Sequence, residues 1–232
     1  MVRAKLDPVD PVDARALGAA LVDLVLPGEC AGCGVAVRPW CPACLAQVGP
    51  PTRPWLPGGP AVLAAGRYTG PLRAALLRYK ERGRRDLAGA LAWLLVPVLD
   101  EVAGPPRGSA VWLVPAPSRP AAARERGGDH VARLCRTLAA GRADVRVARP
   151  LRLARRTRDS VGLDAAQRAA NLAGRVLVHP GALPGAGPGD RVLLVDDVVT
   201  TGATLRACRD ALGGAGVPVA AAVVLCDAVR ER

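Results

Sequence analysis

Phenylalanine is absent from this 232-residue chain, methionine occurs once and tyrosine twice. Lysine is nearly missing as well: 30 of the 32 basic residues are arginine, leaving Lys5 and Lys80. Any core must therefore be built from aliphatic side chains. With 50% hydrophobic residues there are enough of them, and a disordered polyelectrolyte or low-complexity chain is excluded. Long apolar runs are lacking too. The longest early one, Ala16 to Leu26, spans 11 residues and carries Asp23, whereas a membrane-crossing helix needs about 20. The first residues include Asp7, Asp10 and Asp13 and show no small-residue cleavage site after a clean apolar stretch, which argues against a signal peptide. A cytoplasmic protein with reduced thiols is expected. No G-x-x-x-x-G-K-[ST] loop and no G-x-G-x-x-G fingerprint occur, so two common nucleotide-binding motifs are excluded. The formal net charge is +12. It fits either arginine-rich coding bias or a surface for phosphate or nucleic acid.

Residues 10–26 read as a short amphipathic helix with Asp10 as cap and Pro11 in its first turn. A cysteine-rich segment follows, and then a Pro/Gly stretch, residues 51–60, that reads as a linker. Beyond it, apolar runs alternate with helical patterns. Strands are expected at 61–65, 110–114, 144–148, 175–178, 191–195 and 217–226, and helices at 71–79, 86–95, 121–139, 164–172 and 202–212. Runs that are apolar throughout, separated by helices, point to an α/β fold with a parallel sheet covered on both faces.

The most informative string is Val192-Leu-Leu-Val-Asp-Asp-Val-Val-Thr-Thr-Gly-Ala-Thr204. A buried strand delivers Asp196 and Asp197 at its C-terminal end, where open α/β sheets bind ligands. Thr200, Thr201, Gly202, Ala203 and Thr204 then lead straight into a helix, whose N-terminus offers unpaired N–H groups and the positive end of its dipole. Gly202 allows close backbone approach, and the threonine hydroxyls add donors. Two acids beside such a cradle suit a ligand with phosphate at one end and hydroxyls or a metal a few ångströms away, as in a sugar phosphate.

Cys30-x-x-Cys33 and Cys41-x-x-Cys44 form paired knuckles that supply a tetrahedral four-cysteine site for structural zinc, expected to need the metal to fold. Redox pairs or disulfides are the alternative. Cys135, Cys208 and Cys226 stand in apolar contexts and read as core residues. Arg142 to Arg158 holds seven arginines and one aspartate, suiting either a solvated basic loop or a lid. His130 and His179 receive no role.

The acid pair and T-T-G-x-T loop resemble the phosphoribosyl-pyrophosphate motif of type I phosphoribosyltransferases. With the cysteine knuckle, Val114-Pro-Ala-Pro-Ser-Arg119, Arg124-Glu-Arg-Gly127 and the block from Arg156 to Leu172 added, nearly the whole chain resembles the ComF family of competence- and gluconate-associated proteins. Ser160 departs from that pattern, standing where the family usually has glutamine. The resemblance implies a type I phosphoribosyltransferase fold over 61–232, with a hood at about 61–100, behind an N-terminal helix (1–26), a zinc segment (27–50) and the linker. It further implies that Asp196 and Asp197 face the ribose, that residues 200–204 hold the 5-phosphate, and that Pro117, Ser118 and Arg119 hold pyrophosphate. Phosphoribosyl pyrophosphate with Mg²⁺ is the implied ligand, and transfer of phosphoribose to an acceptor the implied reaction, in a competence or DNA-uptake setting. The alternative is a non-catalytic module that senses the sugar phosphate, or one that engages single-stranded DNA or the DNA-uptake machinery.

Overall fold

The computed structural model describes residues 28–37, 39–104, 108–118, 128–154 and 176–229. The expected helices at 10–26 and 164–172, residues 121–127 of that at 121–139, Arg119 and Arg155 to Arg158 lie outside these residues; within them the helix expected from 121 begins only at His130, with Asp129 as its cap. In chain order the described part contains α1 (Pro42–Ala46), β1 (Val62–Arg67), α2 (Gly70–Glu81), α3 (Leu87–Ala103), β2 (Val111–Pro115), α4 (His130–Ala140) and β3 (Val145–Val147). There follow β4 (Leu151–Leu153), β5 (Val176–Val178), β6 (Arg191–Val199), α5 (Ala203–Gly214) and β7 (Ala221–Asp227).

Five strands form one fully parallel sheet in the order β1-β7-β6-β2-β3. The α/β fold with a parallel sheet, expected from the continuous apolar runs, is the one observed. Each face buries a separate aliphatic core, as the lack of phenylalanine requires. Leu72, Leu76, Leu91, Leu95, Leu99 and Leu134 of α2, α3 and α4 pack on Leu193, Val195 and Val223. On the other face, Leu205, Cys208 and Leu212 of α5 pack on Leu194, Ala222 and Val224. Cys135 and Cys226 are buried in the first core and Cys208 in the second. No described helix is long and apolar enough to cross a membrane.

Two features differ from expectation. Leu151–Leu153 and Val176–Val178 pair as an antiparallel ribbon apart from the main sheet, and three-residue strands are too short to show a period. The Pro/Gly stretch 51–60 is no free spacer. Thr52 exchanges both backbone hydrogen bonds with Ala64 at 2.9 Å, and Leu56 is buried. This stretch forms a strap across the C-terminal edge of the sheet. The cysteine segment is likewise docked, because Cys30, Trp40, Cys41 and Cys44 belong to the same core as α2 and α3.

Candidate functional site

Strand β6 runs to Val199, past the point where the apolar run ends, because β7 stays in register beside it: Asp196 pairs with Val224, and Val199 with Asp227. Both carboxylates therefore lie within a strand, where successive side chains point to opposite faces. Asp196 is partly exposed and faces α5. Its charge adds to burial in raising the Cys208 thiol above its usual value. Asp197 turns to the other face and is buried. There its Oδ2 accepts from His130 Nε2 at 2.7 Å and from Lys80 Nζ at 2.6 Å.

The two acids consequently differ in electrostatics. Burial, and behind it the charge of Asp197, holds the Asp196 carboxyl well above the usual carboxylate range. For Asp197 burial acts in the same direction, but the His130 hydrogen bond and the Lys80 ammonium outweigh it and hold that carboxyl well below the range. At neutral pH the second acid is a fixed anion already paired with protein groups. The first remains the one whose charge a ligand can stabilise. The ionised Asp197 carboxylate can only accept, so His130 Nε2 carries the proton between them, and His130 Nδ1 is buried without a hydrogen-bond partner among the described residues. Neither Lys80 nor His130 gave a sequence signal, since each stands alone in its helix with no motif spacing.

The loop after β6 leaves Thr200 and Thr201 exposed and turns at Gly202 with φ +70°, in the left-handed region. α5 starts at Ala203, with Ala203 N–H donating to Thr201 Oγ1 at 3.4 Å. The bare face of Gly202 is covered by the strap: a Cβ there would lie 2.4 Å from Leu56 Cδ1. Arg206, one turn into α5, donates to Thr201 O at 2.9 Å and to Pro57 O at 3.4 Å. Helix N-terminus, hydroxyls and guanidinium thus converge on the exposed threonines.

The loop after β2 lies on the same sheet edge. Pro115 is in register with Val195, and Ala116 N–H donates to Val195 O at 2.8 Å, which brings Ala116 alongside Asp196. Ser118 Oγ donates to Asp129 Oδ1 at 3.4 Å. Asp129 caps α4 by accepting from Ala132 N–H at 3.1 Å and also meets Arg149 at 3.4 Å. Of the arginine-rich stretch, Arg142 pairs with Asp100 and Asp144, and Arg146 lies over the Trp112 ring. These two are structural. A cavity of about 1070 Å³ adjoins Thr200 and Thr201 on the β7 side, between the strap and the ends of β1 and β7. Asp196 and Asp197 do not line it.

The four cysteines converge, with every Sγ within 4.8 Å of the others. Cys33 Sγ and Cys41 Sγ are 3.7 Å apart, close to the roughly 3.8 Å edge of a tetrahedron with Zn–S of about 2.3 Å. Cys30 Sγ accepts from Gly32 N–H at 3.4 Å and Cys41 N–H at 3.2 Å. Burial raises the Cys30 thiol, but backbone donors outweigh it and bring it to about 6. Cys44 is pushed up to about 12 by burial and the neighbouring thiols. The donor set fits zinc. It is anchored on α2, since Arg78 Nη1 donates to Cys30 O at 2.7 Å and a Cβ on Gly32 would meet Cys44 Sγ at 2.6 Å and Pro71 Cβ at 3.0 Å.

Among solved structures, a variant of hypoxanthine phosphoribosyltransferase from Trypanosoma cruzi in a ternary substrate complex shares 20% identity and a TM-score of 0.35, covering 64% of this chain and 69% of that one. The hypoxanthine phosphoribosyltransferase from Trypanosoma cruzi with its product IMP shares 22% identity and a TM-score of 0.33, over 64% and 68%. No curated protein matches the chain. The family model of the phosphoribosyl transferase domain matches residues 135–232, which include β6, the acid pair, the threonine loop and α5.

Proposed function

We propose that this protein binds phosphoribosyl pyrophosphate with Mg²⁺ at the edge formed by the ends of β2 and β6, and that it transfers phosphoribose to an acceptor. The observation that carries this reading is the union, on one sheet edge, of a half-free acid, a threonine loop opening a helix, and a family match over those same residues. Thr200, Thr201 and the α5 N-terminus hold the 5-phosphate. Asp196 faces the ribose hydroxyls. Pro117 and Ser118 of the loop after β2, with Arg119 next in sequence, are the pyrophosphate segment. Asp197, clamped by Lys80 and His130, is committed to them and fixes the end of β6 that presents Asp196, whose carboxylate, once ionised, faces the positive charge that cleavage of the C1–O bond develops on the sugar. Mg²⁺, when bound with the ligand, offsets the charge growing on departing pyrophosphate. The four-cysteine site holds structural zinc.

The order of the cysteine knuckle, V-P-x-P segment, R-x-x-N block and phosphate loop supports ComF-type membership, and with it a cytoplasmic protein working in DNA uptake. Release of pyrophosphate from phosphoribosyl pyrophosphate, measured across a panel of bases and amines, tests the reading. Acceptor-dependent release is expected. Saturable ligand binding with no release for any acceptor would replace transfer by sensing, with single-stranded DNA or the uptake machinery as the partner of a binding module.

A further inference from the structure

The cavity beside the phosphate loop is larger than a phosphate requires. At about 1070 Å³ it lies at the upper end of the range that holds drug-sized ligands, and a phosphate at Thr200 and Thr201 leaves most of it open. Its remaining walls carry Arg53, Trp55, Arg67 and Arg206. Against these three guanidinium groups the lining holds one carboxylate, Asp227. Asp227 is buried and committed, accepting from Thr52 Oγ1 at 3.0 Å and Val229 N–H at 2.8 Å while pairing with Arg67 at 3.2 Å. The lining therefore has a formal excess of two positive charges. Arg206 donates to carbonyl oxygens, of Thr201 and Pro57, and Arg53 meets Glu101 only at an exposed pair, which screening keeps weak.

Trp55 adds a second, independent feature. Its indole is 78% exposed although it stands on a strap pinned on both sides, at Thr52 by Ala64 and at Leu56 by Gly202. A large apolar ring held in water at a cavity wall suits a flat partner that stacks on it.

We propose that this cavity is the acceptor subsite, and that the acceptor is a planar nitrogen nucleophile bearing a carboxylate, which Arg53 and Arg206 meet while Trp55 covers the ring. This inference rests on the phosphoribosyl reading. In the transfer, the acceptor nitrogen gives its lone pair to ribose C1. The C1–O bond breaks with both electrons leaving on pyrophosphate; an N–H acceptor then gives its proton to solvent, and a pyridine-type nitrogen keeps the positive charge as a pyridinium. Thr200 and Thr201, shared by loop and cavity, place the ring next to the sugar.

Calorimetric titration of the zinc-loaded chain, with and without phosphoribosyl pyrophosphate and Mg²⁺, tests it with orotate, nicotinate and anthranilate as planar carboxylates and adenine and hypoxanthine as uncharged rings. At least one carboxylate is expected to bind. Trp55→Ala and Arg53→Gln, both at exposed positions, are each expected to weaken it about tenfold or more. Binding of the uncharged rings alone, binding of none of the probes, or variants that bind the carboxylate as tightly as the parent chain would overturn the proposal. Phosphoribosyl pyrophosphate titrated alone reports separately on the underlying reading. A carboxylate that binds to a chain unable to bind phosphoribosyl pyrophosphate would overturn the acceptor role.

Discussion

Replacing Lys80 with methionine keeps the length of the side chain and removes the ammonium 2.6 Å from Asp197 Oδ2. Unit charges about 4 Å apart at an effective dielectric of about 20 attract by about 4 kcal/mol before desolvation is counted. Breaking a buried pair by deleting one member costs about 3–5 kcal/mol. Lys80 keeps 29% of its side-chain surface, and Asp197 retains the His130 bond, so the expected loss is about 2 kcal/mol. For a domain of this size that is about 4–8 °C in Tm. The sign of the pH dependence follows from the depressed Asp197 carboxyl. A carboxyl held below its unfolded value contributes stability above about pH 4, and that contribution is lost as pH falls through the folded value. Without Lys80 the folded value rises toward the unfolded one. The gap between parent and Lys80→Met in urea unfolding should then be full at pH 7 and narrow below about pH 4. A gap of the same size at both pH values would show that Lys80 contributes only packing, and the electrostatic account of Asp197 would fall.

Gly202→Ala should destabilise the fold by about 2 kcal/mol or more, since φ is +70° and the new methyl would collide with Leu56. Adding Leu56→Ala should relieve the collision but not the backbone cost, so a double-mutant cycle in chemical denaturation should show coupling. The purified chain should contain about one zinc, measured by elemental analysis under reducing conditions. Cys41→Ser should lower zinc content and melt the α/β core earlier, because Cys41 belongs to that core. A core transition unchanged by loss of zinc would contradict the docking of the knuckle on α2.

Features encoded locally were legible in the sequence. The threonine loop, its apolar strand and the cysteine knuckles are short strings whose chemistry follows from spacing, and the structure brings the four thiols together. The sheet was legible because its central strands carry largely apolar runs, Val111 to Val114, Val192 to Val195 and Ala221 to Cys226. What could not be read depends on contacts between distant segments. His130 meets Asp197 across 67 positions and Thr52 meets Asp227 across 175, and no local pattern marks either pair. The strap shows the same limit: proline and glycine predict turns, yet the contacts of Thr52 with Ala64 and of Leu56 with Gly202 lay those turns on the sheet edge. The opposite facing of the two acids follows from β6 continuing to Val199, which its pairing with β7 sustains.

Calorimetric binding of phosphoribosyl pyrophosphate with Mg²⁺ to the parent chain and to Asp196→Asn tests the central claim most directly. Asp196 is the suitable target because changing Asp197 would also break its bonds to Lys80 and His130. The parent should bind at a single saturable site. Because burial raises the Asp196 carboxyl and a ligand with Mg²⁺ favours its charged form, binding should release protons and tighten as pH rises. Asp196→Asn should weaken binding at least about tenfold and abolish the proton release, since a charge-assisted contact contributes about 1.5–3 kcal/mol. A parent chain that gives no heat, or an Asp196→Asn chain that binds as the parent does, would contradict the assignment of this sheet edge as a phosphoribosyl site.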